Sequence, residues 1–172
     1  MIEPLFDLGM TDDQLKTIGI ISLNWATVER EITDILRDFY ALKDENDAIE
    51  LVTILDLDKK LNLLQKKMTR DPKPSGYLNA DWAKASDFVR RLKKSADKFR
   101  DGRNHIIHGS VMRFFGNVQD PVIWSHTKRR GKDLSELPKI VDQSTYLTYL
   151  MAHLSSALYG SMLQVPLPDI PD

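Results

Sequence analysis

Side chains that could carry out chemistry are concentrated in one short segment, FRDGRNHIIHG, residues 99–109. Within six positions it holds Arg103, Asn104, His105 and His108 around two isoleucines. Imidazole exchanges protons near neutral pH, and the guanidinium fork binds carboxylate and phosphate groups. A helix that serves only for packing has no use for such a cluster, so this segment is the candidate site.

The spacing of these residues decides how a helix could use them. At about 100° per residue, Asn104 and His108 lie on one face. Arg103 and His108 are about 140° apart on the ideal helical wheel, so we expect them not to share a face within one chain. Either a bend at Gly102 or a second copy of the helix across a two-fold axis could bring them together. We therefore expect a homodimer whose axis passes near this segment.

Arg103 falls where the apolar pattern of its helix calls for a hydrophobic residue. A charge at a core position is costly unless it is paired, so its partner must be an acidic side chain or a ligand. Glu29, next to Val28 on the first predicted helix, is the acidic candidate. An Arg103–Glu29 ion pair that only stabilises a bundle is therefore one alternative to a functional site.

A metal site is a second alternative for the cluster. His105 and His108 are spaced three apart, as two ligands on a helix can be, but a zinc site needs a third and usually a fourth ligand. Only Asp97, Asp101 or distant groups could supply them. The chain also has no cysteine and no H-E-x-x-H sequence. We predict no metal and no cofactor.

Apolar residues at alternating spacings of three and four predict the helices that position the cluster. The first helix follows TDDQ, a capping-box pattern that begins at Thr11; the second stops at RDPKPSG; the third leads into the cluster. Their predicted inward positions are Ile18, Ile21, Trp25, Val28, Ile32, Ile35, Phe39 and Leu42, then Ile54, Leu57, Leu61, Leu64 and Met68, then Trp82, Ala85, Val89, Leu92, Ala96 and Phe99.

Beyond Gly109 the pattern changes to short β-branched and aromatic runs. VMRFF and VIWSHT, separated by GNVQDP, predict a small β-hairpin at about 110–128. KRRGKDLSELP is predicted to be a polar connector, and about 165–172 an extended tail. A last helix is expected roughly from Val141 to Met162, with inward residues Tyr146, Leu150, Leu154 and Leu158.

Together these elements predict one all-α domain over residues 1–172. Long helices with short polar breaks favour an antiparallel up-and-down helical bundle of four to five helices, with the small β-hairpin as an insertion. No apolar run approaches the roughly 18 residues of a membrane helix, and the N-terminus lacks the basic and then apolar order of a signal peptide. We expect a cytoplasmic protein without membrane contact.

Charge is distributed unevenly along a chain whose formal net charge is −1. Residues 1–58 hold 14 acidic and 4 basic side chains, residues 59–132 hold 6 and 19, and residues 133–172 hold 5 and 1. Basic segments can bind phosphate backbones, although basic and acidic faces can also pair inside one bundle. The candidate phosphate-binding residues are Lys94, Lys128, Arg129 and Arg130.

Residues 103–108, R-N-H-I-I-H, resemble the R-(N/D/H)-x(3–5)-H motif of the HEPN superfamily, a group of small helical bundles. Trp25-x-x-Val28-Glu29 is similar to a W-x-x-hydrophobic-E pattern of related bundles, and KKLNLLQKKM resembles their second helix. In architecture the likeness covers residues 12–162, but only the six-residue motif is specific. The resemblance implies metal-independent RNA cleavage by a homodimer in which the two motif helices meet.

By this resemblance, His108 carries out acid–base catalysis, Arg103 stabilises the phosphate, and Asn104 gives polar support, with Glu29 and His105 as supporting residues. The basic residues named above would then bind RNA. The implied role is that of a toxin or phage-defence effector, which a cognate antitoxin or regulatory protein would control. Because many family members have lost activity, the alternative is a non-catalytic bundle that binds RNA or a protein partner through the same groove.

Overall fold

A computed structural model describes residues 10–44, 46, 52, 55–70, 82–112, 122–125, 130–159 and 168. The helices among these residues are α1 (Asp12–Phe39), α2 (Leu57–Arg70), α3 (Trp82–His108) and α4 (Leu137–Tyr159). The strands are β1 (Ser110–Met112), β2 (Val122–Ser125) and β3 (Arg130–Asp133). The described chain is thus mostly helical, as predicted. No helix in these ranges is both long and apolar enough to cross a membrane.

Residue packing divides the chain into two compact units. Unit 1 comprises residues 1–25 and 99–145, and unit 2 comprises residues 26–98 and 146–172. Three of the helices, α1, α3 and α4, contribute residues to both. That residues 1–172 form one domain stays a prediction.

Unit 2 is built on helix faces that the three–four spacing predicted. The predicted positions buried in this unit are Val28, Ile32, Ile35, Phe39, Leu57, Leu61, Leu64, Met68, Ala85, Val89, Leu92, Ala96, Leu150, Leu154 and Leu158. Burying one such aliphatic or aromatic side chain contributes roughly 1.5–3 kcal/mol. Trp82, Leu42 and Tyr146 are partly exposed, and Ile54 lies outside the described residues.

Unit 1 contains the first turns of α1, the end of α3, the start of α4 and an antiparallel sheet. The sheet has the order β1-β2-β3, with Val111 opposite Ile123 and Ile123 opposite Lys132. The α1 helix opens with the predicted capping box, because the Thr11 N–H donates to Gln14 Oε1 (2.8 Å) and the Gln14 N–H donates to Thr11 Oγ1 (3.2 Å). Reciprocal bonds of this kind satisfy backbone donors at a helix start.

The segment after β2 differs from its prediction as a polar connector. Residues 130–133 form β3, and the following residues 134–136 form a 3₁₀ turn whose N-cap is Asp133; its Oδ1 accepts from the Ser135 N–H at 2.7 Å. Helix α4 then begins at Leu137, four residues before the predicted start at Val141. Pro138 does not prevent this, because the first turn of a helix needs no backbone N–H from it.

Candidate functional site

Arg103, Asn104 and His108 lie close together in the last turns of α3. Arg103 Nη1 donates to Asn104 Oδ1 at 3.0 Å and lies 3.5 Å from His108 Nε2. The expectation that Arg103 and His108 need either a bend at Gly102 or a second copy of the helix to come together is therefore wrong. One copy of the helix brings all three motif side chains together.

The helical wheel failed here because it describes where side chains begin and not where they end. Five residues of helix rise about 7.5 Å, but Arg103 has a long and flexible stem. Its guanidinium therefore reaches to 3.5 Å from the His108 imidazole although the two Cβ atoms lie on different faces. The helix runs without interruption through Gly102, so no helix break is needed.

Two glycines beside the motif serve close packing. A Cβ at Gly102 would lie 3.1 Å from Ile140 Cγ1, so this glycine lets α3 approach the start of α4. A Cβ at Gly109 would overlap both the His105 carbonyl oxygen and Ile123 Cγ2 on β2. Gly109 therefore joins the end of α3 to the sheet directly after the motif histidine.

The contact between Arg103 and His108 defines which form of the imidazole fits. A guanidinium nitrogen can only donate, so His108 Nε2 must present its lone pair to Arg103, with the proton on Nδ1. His108 is also exposed. The pair therefore offers a proton acceptor beside a fixed positive charge at the protein surface.

Trp25 is a neighbour of Arg103 that sequence reasoning did not assign to the site. The guanidinium carbon of Arg103 lies over the indole ring, 5.7 Å from its centroid, and Trp25 is 4% exposed. Cations within about 6 Å of an aromatic face are attracted to it. The signal available in the sequence was that both residues occupy inward positions of their helices. It predicted burial for Trp25 and did not predict the contact.

His105 is turned into the interior and is completely buried. Its Nδ1 lies 2.8 Å from the Asp101 carbonyl oxygen, which can only accept, so Nδ1 donates. Its Nε2 is buried and has no hydrogen-bond partner among the described residues. Of the two motif imidazoles, His108 is thus the exposed one, and His105 fastens the last turns of α3.

The acidic residues near His105 do not combine with it into a metal site. Asp101 Oδ2 is 3.8 Å from His105 Nδ1, and Asp97 Oδ2 is 3.6 Å from Lys93 Nζ. Within the described ranges, no three His, Cys, Asp or Glu side chains are grouped closely enough to hold a metal ion. The arrangement therefore favours the structural role of His105 over the metal alternative weighed above.

Glu29, the predicted supporting acid, has a cationic neighbour within unit 2. Lys60 on α2 is 4% exposed, and burial lowers its pKa while the charges of Glu29 and Asp56 oppose that shift. Glu29 therefore helps to keep a buried ammonium charged. The predicted Arg103–Glu29 pair joins residues assigned to different units and stays a prediction.

The predicted RNA-binding residues are only partly described. Lys94 is exposed on the part of α3 that belongs to unit 2, and Arg130 begins β3. Lys128, Arg129 and the side chain of Arg130 lie outside the described part of the structure. RNA contact by these residues stays a prediction.

A cavity of about 340 Å³ lies elsewhere in unit 1. It is formed by the first turns of α1 and α4, with Thr17, Leu134 and Val141 among its lining residues, and includes none of the motif residues. The motif side chains are thus separate from this cavity.

Comparison of the chain with protein-family models, curated proteins and solved structures gave no match.

Proposed function

We propose that this protein is a HEPN-like, metal-independent endoribonuclease in which Arg103, Asn104 and His108 form the catalytic group. The observation that carries the proposal is the contact of Arg103 Nη1 with Asn104 Oδ1 and His108 Nε2 at 3.0 and 3.5 Å. The antiparallel up-and-down bundle, the cytoplasmic location and the role as a toxin or phage-defence effector under antitoxin control belong to the same proposal. They rest on the motif resemblance.

The proposed reaction is transesterification within the RNA chain. When an RNA phosphate binds Arg103, His108 Nε2 gives up its 3.5 Å contact with Arg103 Nη1. His108 Nε2 then takes the proton of the 2′-hydroxyl while the 2′-oxygen forms a bond to phosphorus and the bond from phosphorus to the 5′-oxygen breaks. The departing 5′-oxygen then takes a proton from an acid. Arg103 offsets the negative charge that grows on the phosphoryl oxygens. The products are a 2′,3′-cyclic phosphate and a 5′-hydroxyl.

This reaction needs one group to accept a proton and another to donate one. His105 is completely buried and its Nδ1 is engaged by the Asp101 carbonyl, so within the motif it is a poor second imidazole. A two-fold axis would supply His108 of a second copy without additional sequence. The argument for a homodimeric, composite site is therefore chemical, since Arg103 and His108 already meet within one chain.

The test is cleavage of a labelled RNA and of a DNA of the same sequence, with and without EDTA. We expect RNA cleavage to persist in EDTA and to leave a 2′,3′-cyclic phosphate, and DNA to survive because it lacks the 2′-hydroxyl. His108→Ala should slow cleavage at least about 100-fold, since positioned acid–base groups contribute roughly 10²–10⁴. RNA binding should be retained, because a neutral imidazole contributes little to holding phosphate.

His153→Gln, a histidine replacement on α4 in unit 2, serves as the control and should cleave at the parent rate. Cleavage that stops in EDTA and returns with a divalent metal would contradict the proposal, as would parent-rate cleavage by His108→Ala. RNA binding without cleavage by the parent protein would instead support the non-catalytic alternative.

A further inference from the structure

We infer that Trp25 is a positioning residue for Arg103: the guanidinium lies over the indole ring, and this contact holds it beside Asn104 and His108, where it can bind an anionic phosphate. The identity of that anion as an RNA phosphate rests on the proposed function. The contact itself does not.

Two contacts from different helices position the guanidinium. Its carbon lies over the Trp25 ring, 5.7 Å from the ring centroid, and its Nη1 donates to the Asn104 side-chain oxygen at 3.0 Å. The hydrogen bond alone would let the guanidinium pivot about Nη1, whereas the ring attracts the charged group as a whole. Together the two contacts restrict where the guanidinium can lie.

The choice of tryptophan at position 25 supports this role. Trp25 is 4% exposed, yet its indole Nε1 is buried without a hydrogen-bond partner among the described residues. A buried, unsatisfied N–H is unfavourable, and phenylalanine or leucine would fill the core without it. What tryptophan offers in return is the ring face that attracts cations most strongly.

The indole is held in place by its own helix. Asn24 Nδ2, on the preceding residue, donates to Ser144 Oγ at 3.0 Å and to Thr145 Oγ1 at 3.1 Å. These bonds fasten α1 to α4 within unit 1 at the level of Trp25. The ring is therefore a fixed surface against which Arg103 is oriented.

The contact with Trp25 is compatible with the binding of an anion by Arg103. Nε of Arg103 is buried and Nη1 donates to Asn104, so a phosphate would meet the terminal nitrogens of the guanidinium. A cation–π contact acts through the positive charge of the group and not through a carboxylate that would repel an anion. Trp25 should therefore increase the affinity for an anion without competing with it.

The first test compares Trp25→Phe and Trp25→Leu with Trp82→Phe. Trp82 is a matched control because its ring packs on Phe39 and its Nε1 bonds to the Met68 carbonyl oxygen, all within unit 2. We expect Trp25→Leu to lower kcat/KM for RNA between about twofold and thirtyfold, the range of a cation–π contact. Trp25→Phe should retain part of the activity, and Trp82→Phe should cleave at the parent rate.

The second test needs no catalysis and remains valid if Trp25→Leu fails to fold. In a Trp82→Phe/Trp124→Phe background the fluorescence comes from Trp25. We expect Arg103→Met to change the emission maximum or intensity of Trp25. We also expect inorganic phosphate to change the emission when Arg103 is present and not in the Arg103→Met variant.

Emission that is the same with and without Arg103→Met would overturn the inference, whatever the activity on RNA. Equal loss of kcat/KM in Trp25→Phe, Trp25→Leu and Trp82→Phe would also overturn it, because a general packing defect would then explain the loss. A phosphate response that depends on Arg103, in a protein that does not cleave RNA, would support the inference while contradicting the proposed function.

Discussion

Lys60 places an ammonium group in the interior of unit 2, with 4% of its surface exposed. Burial lowers the pKa of Lys60, and the negative charges of Glu29 and Asp56 only partly offset this effect. The folded chain therefore holds the charged form at a net cost. Glu29 limits that cost, which gives this acid a role in unit 2 that does not depend on the motif.

We predict that Lys60→Met stabilises the protein at neutral pH by about 1 kcal/mol, because an apolar side chain of similar length avoids the burial of charge. Glu29→Gln should destabilise the parent protein and have less effect in the Lys60→Met background, with a coupling of roughly 0.5–3 kcal/mol. Urea unfolding of the four proteins in this cycle measures the coupling. Additive effects would show that the two charges do not interact.

The difference in unfolding free energy between the parent protein and Lys60→Met should depend on pH in a predictable direction. Because the folded-state pKa of Lys60 is below its ordinary value of 10.5, the unfolded chain holds this proton more tightly. The contribution of Lys60 to the free energy of unfolding therefore rises as pH increases from the folded pKa towards 10.5. The stability advantage of Lys60→Met should accordingly shrink at alkaline pH. An advantage that grows with pH would contradict the lowered pKa.

The residues around Arg103 show what could be predicted from sequence and what could not. The three–four spacing placed Trp25 and Arg103 at inward positions, and Arg103 is partly buried. The rule that a charge at such a position needs a partner predicted an acidic side chain or a ligand, whereas the neighbours given above are Asn104, His108 and Trp25. Neither the spacing nor the rule predicted that the aromatic ring of Trp25 would be one of the neighbours of Arg103. A periodic pattern fixes where a Cβ lies, whereas the contact is made at the end of a flexible side chain.

At the scale of elements, the junction between α3 and the sheet supports the motif. Gly109 has no room for a side chain because the His105 carbonyl and the Ile123 side chain occupy that space. One of these neighbours is backbone and cannot rotate away. The end of α3, and with it His108, is therefore held by close contact with β2.

We predict that Gly109→Ala destabilises the protein by about 1–3 kcal/mol, the usual range for strain or overpacking in a well-packed site, and slows RNA cleavage by displacing His108. Gly102→Ala is the matched control. Its Cβ would meet the Ile140 side chain, 3.1 Å from Cγ1, and not backbone of a neighbouring element. The gain in helix propensity of up to about 1 kcal/mol should offset much of this milder contact. Thermal unfolding and cleavage assays of both variants provide the measurement. Equal effects of the two substitutions would contradict this account of the junction.

Strand β3 was missed because its sequence lacks the usual signs of a strand. Arg130–Asp133 reads RGKD, with no β-branched or aromatic residue. Its pairing with β2 uses backbone groups, with Trp124 opposite Gly131 and Ser125 opposite Arg130. Side-chain preference is a poor guide where a strand forms by backbone pairing with a neighbour. In contrast, the long helices could be predicted because each repeats its apolar signal over many turns.

At the scale of the whole molecule, the proposed reaction favours a second copy of the chain. Each chain brings Arg103 and His108 together, but His105 is buried, so a second copy would supply the additional exposed imidazole that could donate the proton. We predict that light scattering at micromolar concentration gives about twice the 19.7 kDa mass of one chain. A monomer that cleaves RNA at full rate on dilution would show that one chain suffices. An inactive monomer would point to the non-catalytic alternative.

The three glycines at positions 19, 102 and 109 also carry an evolutionary consequence. A Cβ at Gly19 would meet no atom within 4 Å, one at Gly102 would meet the Ile140 side chain, and one at Gly109 would overlap backbone. Selection should therefore remove substitutions least often at Gly19 and most often at Gly109, independently of catalysis. In descendants that lose His108, and with it the proposed cleavage of RNA, Gly109 should still persist, because selection on it acts through folding.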